Sequence, residues 1–374
     1  MKFLLVASFP NSLIKFRGVL LEAIQHAGYE VHVACPGILD ERGLCDELEV
    51  LGIKVHDINL NRTGLNPFAD LISFFSLWSL MRNVKPDYVL CYTIKPVIYG
   101  VLAAWLASVP NRVALITGLG YTFQNSEGDF RRAFLHKIVQ KLYKFVLKKT
   151  KVVFFQNPDD EILFRKLFLL PTNTRSVVVN GSGVSVDQFT VTPLPRESRF
   201  LLIARLLGDK GVREYFEAAK IIKARYPATV FLLVGWIDKN PDAIAQQELD
   251  SWRVSGIIDY LGKLEDVRPA IENCSVYVLP SYREGTPRTV LEAMAMGRAI
   301  ITTDAPGCKE TVVDGDNGFL VPVKSVSELV AAMEKFILDK DLAVCMGHRS
   351  REIAVEKYDV HKVNALMLME MGVS

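Results

Sequence analysis

Short, almost unbroken apolar runs recur along the whole chain, each followed by a stretch with helical spacing. KFLLVAS leads into a predicted helix at 17–27 and then YEVHVACP; helices at 40–51, 67–84 and 97–108 alternate with IKVHDI, DYVLCYT and RVALITG, and VVFFQN and SVVVNGSG follow. A strand that is apolar on both faces must be covered on both, which is the situation of a parallel sheet between layers of helix. Strands separated by helices at this spacing build βαβ units. The pattern restarts at RFLLIAR and runs through TVFLLVGW, IDYLG, VYVLP, RAIITT and GFLVP, with helices at 211–225, 241–254, 267–273, 288–297 and 325–338 and a helical tail from about 342. The expectation is an α/β chain of two Rossmann-like, doubly wound parallel-sheet domains, 1–190 and 195–357, joined at the proline-bearing TVTPLPRESR of 190–199. A length of 374 residues, 50% hydrophobic, suffices for two such cores. Open sheets take ligands at the carboxyl ends of their strands, and pockets favour domain boundaries, so a ligand is expected in a central cleft that the two domains face.

The net charge of +2 gives no reason to expect nucleic acid as a partner. The charge is uneven: residues 1–190 hold 21 Lys and Arg against 16 Asp and Glu, and residues 191–374 hold 23 against 26. The six cysteines (Cys35, Cys45, Cys91, Cys274, Cys308, Cys345) form no CxxC and no ligand spacing with histidine. They read as small buried hydrophobes in a reducing cytoplasm. MKFLLVASFP reads as a first strand and not a signal peptide, and no run of eighteen apolar residues occurs.

One run carries chemistry. Residues 281–318, SYREGTPRTVLEAMAMGRAIITTDAPGCKETVVDGDNG, place Glu284 and Glu292 eight apart with Gly285, Thr286, Pro287 and Arg288 between them. An apolar strand leads into the first Glu, and a helix-forming stretch carries the second. The start of a helix exposes backbone N–H groups, and its dipole favours an anion there. Pro287 suits a first helical turn. The flanking carboxylates cannot hold phosphate themselves but are placed to accept hydrogen bonds from sugar hydroxyls on either side of a diphosphate, which suggests a nucleotide-sugar site. In RFLLIARLLGDKG, Arg205 at a strand end and Lys210 five residues later can clamp such a diphosphate and stabilise charge as it leaves. DGDNG (314–318) lacks the acidic positions of a calcium loop and reads as a turn.

The Glu, seven residues, Glu run with Gly285 and Pro287 resembles the signature of the retaining family 4 glycosyltransferases, and Arg205 and Lys210 match that family's Arg…Lys-Gly element. The resemblance implies the GT-B fold, with the tail 358–374 crossing back to the first domain. It implies that Glu284 contacts the transferred sugar, Glu292 the ribose, and the Gly285–Arg288 loop amides the distal phosphate. Gly235, which ends FLLVG, takes the position of a glycine that lets the base approach the backbone. Catalysis then rests on Glu284, Arg205 and Lys210. No metal and no other cofactor is implied, because cationic side chains and helix dipoles serve instead.

On the acceptor side, Lys15 and Arg17 in NSLIKFRGVLLEAI, Lys95 in YTIKPVIYG and Thr117 after RVALI are candidate residues for the acceptor and its phosphate. KFRGVL, TIKPVIYGVLAA, ITGLGYTF and LNPF (65–68) are similar to the subgroup that extends sugars on undecaprenyl diphosphate in bacterial N-glycan, O-antigen and capsule assembly. That similarity implies a UDP-sugar donor, N-acetylgalactosamine first, and a lipid-linked diphosphate sugar acceptor. One departure stands out. Thr117-Gly118-Leu119-Gly120 occupies the place where many relatives carry a cleft histidine, and neither His56 nor His136 replaces it by position.

RRAFLHKIVQKLYKFVLKKTK (131–151) holds eight basic residues and no acid. Lys137, Lys141, Lys144 and Lys148 form one helical stripe, with Arg131 and Arg132 ahead of them, and Phe134, Ile138, Leu142 and Phe145 form another. A basic amphipathic helix suits an anionic membrane surface, so the chain is expected to be cytoplasmic and peripheral on the inner face of the cell membrane. Two other readings of the motifs are a GT-B sugar-nucleotide epimerase or transfer to a soluble acceptor. A non-catalytic membrane-bound module would have had no reason to keep Glu284, Glu292, Arg205 and Lys210 together.

Overall fold

The computed structural model describes residues 1–61, 67–118, 130–238 and 240–373, the side chains of 67 and 130–137 excepted. The chain divides into two compact units, Met1–Ser182 with Val363–Ser374, and Gly183–Lys362.

In the first unit, β1 (Lys2–Val6), β2 (Glu30–Cys35), β3 (Lys54–Asp57), β4 (Tyr88–Tyr92), β5 (Asn111–Ile116), β6 (Val152–Phe155) and β7 (Arg175–Val178) form one sheet in the order β3-β2-β1-β4-β5-β6-β7. Every pairing is parallel; Phe3, for example, lies between Val31 and Tyr88. Alternate residues of β1 enter two different cores, which is why its sequence is apolar throughout. Phe3 and Leu5 pack under α1 (Asn11–His26) and α2 (Arg42–Val50). Leu4 and Val6 pack under α3 (Pro67–Val84), α4 (Val101–Leu106), α5 (Phe130–Leu147) and α6 (Pro158–Lys166). Val363, Met367 and Met371 of α13 (Val360–Met371) join the α1 side. Tyr88 donates to the carbonyl of Gly372 at 3.0 Å, and Arg175 pairs with Glu370 at 2.5 Å.

The second unit repeats the plan. β8 (Arg199–Ile203), β9 (Val230–Val234), β10 (Asp259–Gly262), β11 (Val276–Leu279), β12 (Ala299–Thr303) and β13 (Gly318–Val321) run in the order β10-β9-β8-β11-β12-β13, all parallel. The helices are α7 (Val212–Arg225), α8 (Gln246–Ser255), α9 (Arg268–Glu272), α10 (Arg288–Ala295), α11 (Val326–Leu338) and α12 (Lys340–Lys357). The strand order reverses between β8 and β11, where an open sheet of this kind leaves a crevice at its carboxyl edge.

The division differs from the one expected at 190–195. The proline-bearing stretch lies inside the second unit, because buried Arg298 donates to Thr192 O at 2.7 Å and Leu194 packs against that unit's core. The crossing point is tighter and earlier. Val184 N–H donates to Tyr358 O and the Val184 carbonyl accepts from Val360 N–H, while Gly183 lies so close to Val360 that a Cβ would sit 2.6 Å from its Cα. The predicted helix at 97–108 is split into a π-type turn, Pro96–Gly100, and the short α4. α6 was not among the predicted helices, although Asn157 caps it by accepting from Asp160 N–H at 2.8 Å, with Pro158 and three acids in the first turn. Five of the cysteines are buried as expected, and Cys345 is exposed.

Candidate active site

Glu284 stands in the loop after β11, and Lys210 closes the turn after β8, so the reversal of strand order brings them together. Lys210 Nζ lies 2.5 Å from Glu284 Oε1. Ser281 Oγ donates to the same oxygen at 2.8 Å. The loop is fixed from three sides. Tyr282 N–H donates to Asp209 O at 2.8 Å, Glu284 N–H donates to Pro306 O at 2.9 Å, and Thr303 Oγ1 donates to Ser281 O. Two glycines make this approach possible. Gly211 (φ +69°) passes so near Pro280 O that a Cβ would sit 2.2 Å away, and Gly307 (φ +82°) passes within 2.1 Å of Glu284 O on the same measure. In both cases the conformation and the space admit only hydrogen at Cα.

Asp209, beside Lys210, shows how densely charge is gathered here. Burial pushes its carboxyl above the ordinary range and Lys210 pulls it back; Glu284 and Asp242 push it up further, and Arg205 lowers it. Arg205 itself pairs with Asp238 at 2.7 Å. Burial likewise pushes the Cys308 thiol up to about 12, and Glu284 adds to the effect. Cys308 is therefore a packed thiol with no nucleophilic character at neutral pH.

The rest of the motif follows from α10. Pro287 precedes its first residue and offers no side-chain acceptor to cap it. Glu292, one turn in, is buried at 7% exposure, and Arg288 Nε holds its Oε1 at 2.8 Å. The start of α10 is tied to β8 through Tyr277, whose hydroxyl lies 2.7 Å from Thr289 Oγ1 and 3.1 Å from Ile203 O. Gly285 and Thr286 fill the loop between the two acids. Gly235 ends β9 at φ +157°, where a Cβ would strike Ala204 O at 1.9 Å, so this glycine is required by the backbone whatever it does for a ligand. Among the described residues no three His, Cys, Asp or Glu side chains converge as metal ligands.

The candidate acceptor residues lie together less closely, around the carboxyl ends of β1, β4 and β5 in the first unit. Arg17 is buried, with its guanidinium 5.4 Å from the centre of the Tyr92 ring. Lys15 is exposed, and Thr117 is half-buried just past β5. Lys95 departs most from expectation: it is buried and paired with Asp70 Oδ1 at 2.6 Å, so its charge is already answered within the fold. His56 is far from a cleft-histidine role, since its Nε2 lies 2.8 Å from His32 Nδ1 across the β2–β3 edge. Leu119, Gly120 and the side chain of His136 fall outside the described residues, as do the side chains of Arg131, Arg132 and Lys137. Lys141 and Lys144 on α5 and Lys148 just past its end are exposed. The apolar stripe expected on α5 is not the one it buries: Val139, Tyr143 and Val146 face the core, whereas Ile138 and Phe145 are exposed.

Sequence reading missed Ser281, Asp209, Asp238 and Gly307. Gly307 carried a signal, following a proline just after a strand; the other three are common polar residues whose role depends on a long-range approach.

Comparison with known proteins agrees with this arrangement. Residues 197–339 match the family described as glycosyl transferases group 1, and residues 4–157 match that described as glycosyl transferase 4-like. The chain is 31% identical over 362 residues to the N,N'-diacetylbacillosaminyl-diphospho-undecaprenol alpha-1,3-N-acetylgalactosaminyltransferase of Campylobacter jejuni, covering 93% of this chain and 92% of that one. It is 28% identical over 315 residues to the UDP-Gal:alpha-D-GlcNAc-diphosphoundecaprenol alpha-1,3-galactosyltransferase of Escherichia coli, covering 80% and 78%. The solved structure of Anabaena HepE in complex with UDP and glucose superposes with a TM-score of 0.76 at 16% identity, over 100% of this chain and 99% of that one. The chain belongs to the group 1, 4-like glycosyltransferases and has their GT-B fold.

Proposed function

We propose that the protein transfers N-acetylgalactosamine from its UDP derivative to a sugar carried on polyprenyl diphosphate, with retention of anomeric configuration, at the inner face of a bacterial membrane. The observation that carries this reading is the Lys210–Glu284 pair, held by Ser281 at the strand reversal of the second unit. A cation and a carboxylate locked together there become useful when a diphosphate arrives: Lys210 turns to the phosphate, and Glu284 is left to accept from sugar hydroxyls. The two relatives named above both act, by their names, on undecaprenyl-diphosphate sugars and both form alpha-1,3 links, though with different sugars.

In the proposed step the bond from the anomeric carbon to the phosphate oxygen breaks through an oxocarbenium-like state. The acceptor hydroxyl oxygen bonds to that carbon on the same face, and its proton passes to the departing phosphate oxygen. Lys210, Arg205 and the Gly285–Arg288 loop stabilise the charge on the leaving group. Glu292, held by Arg288, is placed for the ribose hydroxyls. Arg17 and Thr117 at the strand ends of the first unit are the proposed acceptor contacts. Lys15 is the exposed cation beside them, and Lys95 contributes only if it leaves Asp70.

The test is UDP release by the purified protein across a panel of UDP-sugars, with and without a short-chain polyprenyl-diphosphate sugar. Release that needs the lipid and is fastest with UDP-N-acetylgalactosamine is expected. Release without any acceptor would replace transfer with epimerase or hydrolytic chemistry, and fastest release with another UDP-sugar would change the donor.

A further inference from the structure

α3 is built like a buried helix but lies at a surface. Among its eighteen residues, PFADLISFFSLWSLMRNV, apolar side chains outnumber polar ones and occur on both the buried and the exposed side, a composition that suits a protein core or lipid. One face meets the core of the first unit through Ser73, Leu77 and Met81. The opposite face leaves Leu71, Ile72 and Phe75 more than half exposed (52%, 57% and 52%) and Trp78 exposed at 36%. These positions follow helical spacing, so they form a continuous stripe rather than scattered side chains. No helix among the described residues is long and apolar enough to cross a membrane, which leaves an in-plane role open to α3.

The neighbours say what covers the stripe. α3 packs beside α4, and α4 beside α5. α4 adds exposed Trp105 and Leu106, and α5 adds Ile138 and Phe145. Cations border this apolar surface. Arg82 lies 5.9 Å from the Trp78 ring centre, Lys149 lies 4.6 Å from that of Trp105 and 5.7 Å from that of Phe145, and Lys141 and Lys144 on α5 and Lys148 just past its end are exposed. The three helices contain one acid, Asp70, and it is buried and neutralised by Lys95. An apolar stripe with aromatic rings, a cationic border and no exposed carboxylate on these three helices is complementary to anionic lipid. A partner protein surface would instead be expected to call for charges of both signs.

We propose that α3 is the membrane-inserted element of the first unit. It lies in the bilayer plane with Leu71, Ile72, Phe75 and Trp78 among the acyl chains, while the α5 lysines rest on headgroup phosphates. This rests on the membrane reading given under Proposed function and assigns its depth to a helix other than the basic one.

The full-length protein is to be sedimented with vesicles of phosphatidylcholine, with and without phosphatidylglycerol, at low and high salt. Wild type should bind the anionic vesicles. Ile72→Glu/Phe75→Glu should weaken binding by about tenfold or more at both salt concentrations, because burial of apolar area is not screened. Lys141→Glu/Lys144→Glu/Lys148→Glu should weaken it mainly at low salt. Brominated acyl chains should quench wild-type fluorescence more than that of Trp78→Phe, a conservative change that serves as a second readout if the glutamates disturb folding. Wild-type binding that survives both α3 glutamates, with no Trp78 share in the quenching, overturns the α3 assignment alone. A wild-type dimer that Ile72→Glu/Phe75→Glu splits without touching vesicle binding shows that a second copy covers the stripe. Failure of wild type to bind either vesicle removes the membrane reading together with this one, while lipid-dependent UDP release would still stand.

Discussion

The two units share a strand order and little else of consequence. In both sheets the strand order reverses beside the first strand, between β1 and β4 in one unit and between β8 and β11 in the other. At that point the second unit packs charge against charge: Lys210 on Glu284, Arg205 on Asp238, Arg288 on Glu292, with half-buried Asp209 among them. The corresponding strand ends of the first unit hold a buried guanidinium over Tyr92 and one lysine already paired with Asp70. The first unit's distinctive feature is elsewhere, on the outer face of α3, α4 and α5, where apolar side chains and lysines meet solvent. One scaffold thus carries two different surfaces: in the second unit, charges held against a rigid turn; in the first, apolar area left open to solvent.

The largest test of this contrast is at Lys210. Lys210→Ala should lower kcat about 10²–10³-fold, as loss of one charge-stabilising donor does elsewhere, with the circular dichroism spectrum retained. Glu284→Gln should also lower it, since the carboxylate is the partner of Lys210 in the resting site. Activity within a few-fold of wild type in either variant would mean that the crowded end of the second unit is not where the sugar is transferred.

A smaller effect sharpens the picture of the first unit. Asn157→Ala should cost about 1 kcal/mol of stability by chemical denaturation, because it removes the acceptor for Asp160 N–H at the start of α6. An unchanged denaturation midpoint would show that Pro158 and the acidic first turn start this helix without the cap.

The smallest concerns pH and lies within the first unit. His32 and His56 are both held below the usual histidine value, each chiefly by burial. Glu30 raises His32 against that effect, Lys54 and Lys2 lower it, and His56 is lowered further by His32 and Lys54. The folded protein then takes up protons less readily than the unfolded chain, whose histidines titrate near 6.5. Stability is full above about pH 6.5 and falls as the pH drops below it. The acid limb of the melting temperature should flatten in His32→Gln/His56→Gln, and an unaltered limb would place the acid sensitivity elsewhere.

Much of this was legible before any coordinates. The near-continuous apolar runs could only be doubly covered parallel strands, and every predicted strand overlaps one in the structure. Pro287 marked the start of α10, although it sits one residue before the first turn and not in it. The spacing of Glu284 and Glu292 survived for a similar reason, since both lie on one local strand–loop–helix unit whose geometry is short-range. Arg205 and Lys210 were likewise readable as strand-end cations. The missed α6 was a lapse of reading, since Asn157-Pro158 with acids behind it is a strong local start signal.

What the tertiary structure alone decided is every pairing across distance. No local pattern says that Lys95 spends its charge on Asp70, that Arg298 holds the stretch once read as a linker, or that Ser281 and Lys210 share one oxygen of Glu284. Nor could helical periodicity say which side of α5 is buried, or that α3 leaves Leu71, Ile72 and Phe75 uncovered. Periodicity reports which residues share a face, because that follows from the geometry of one helix. Whether the face is covered, and by what, depends on segments brought near it only by the sheet order.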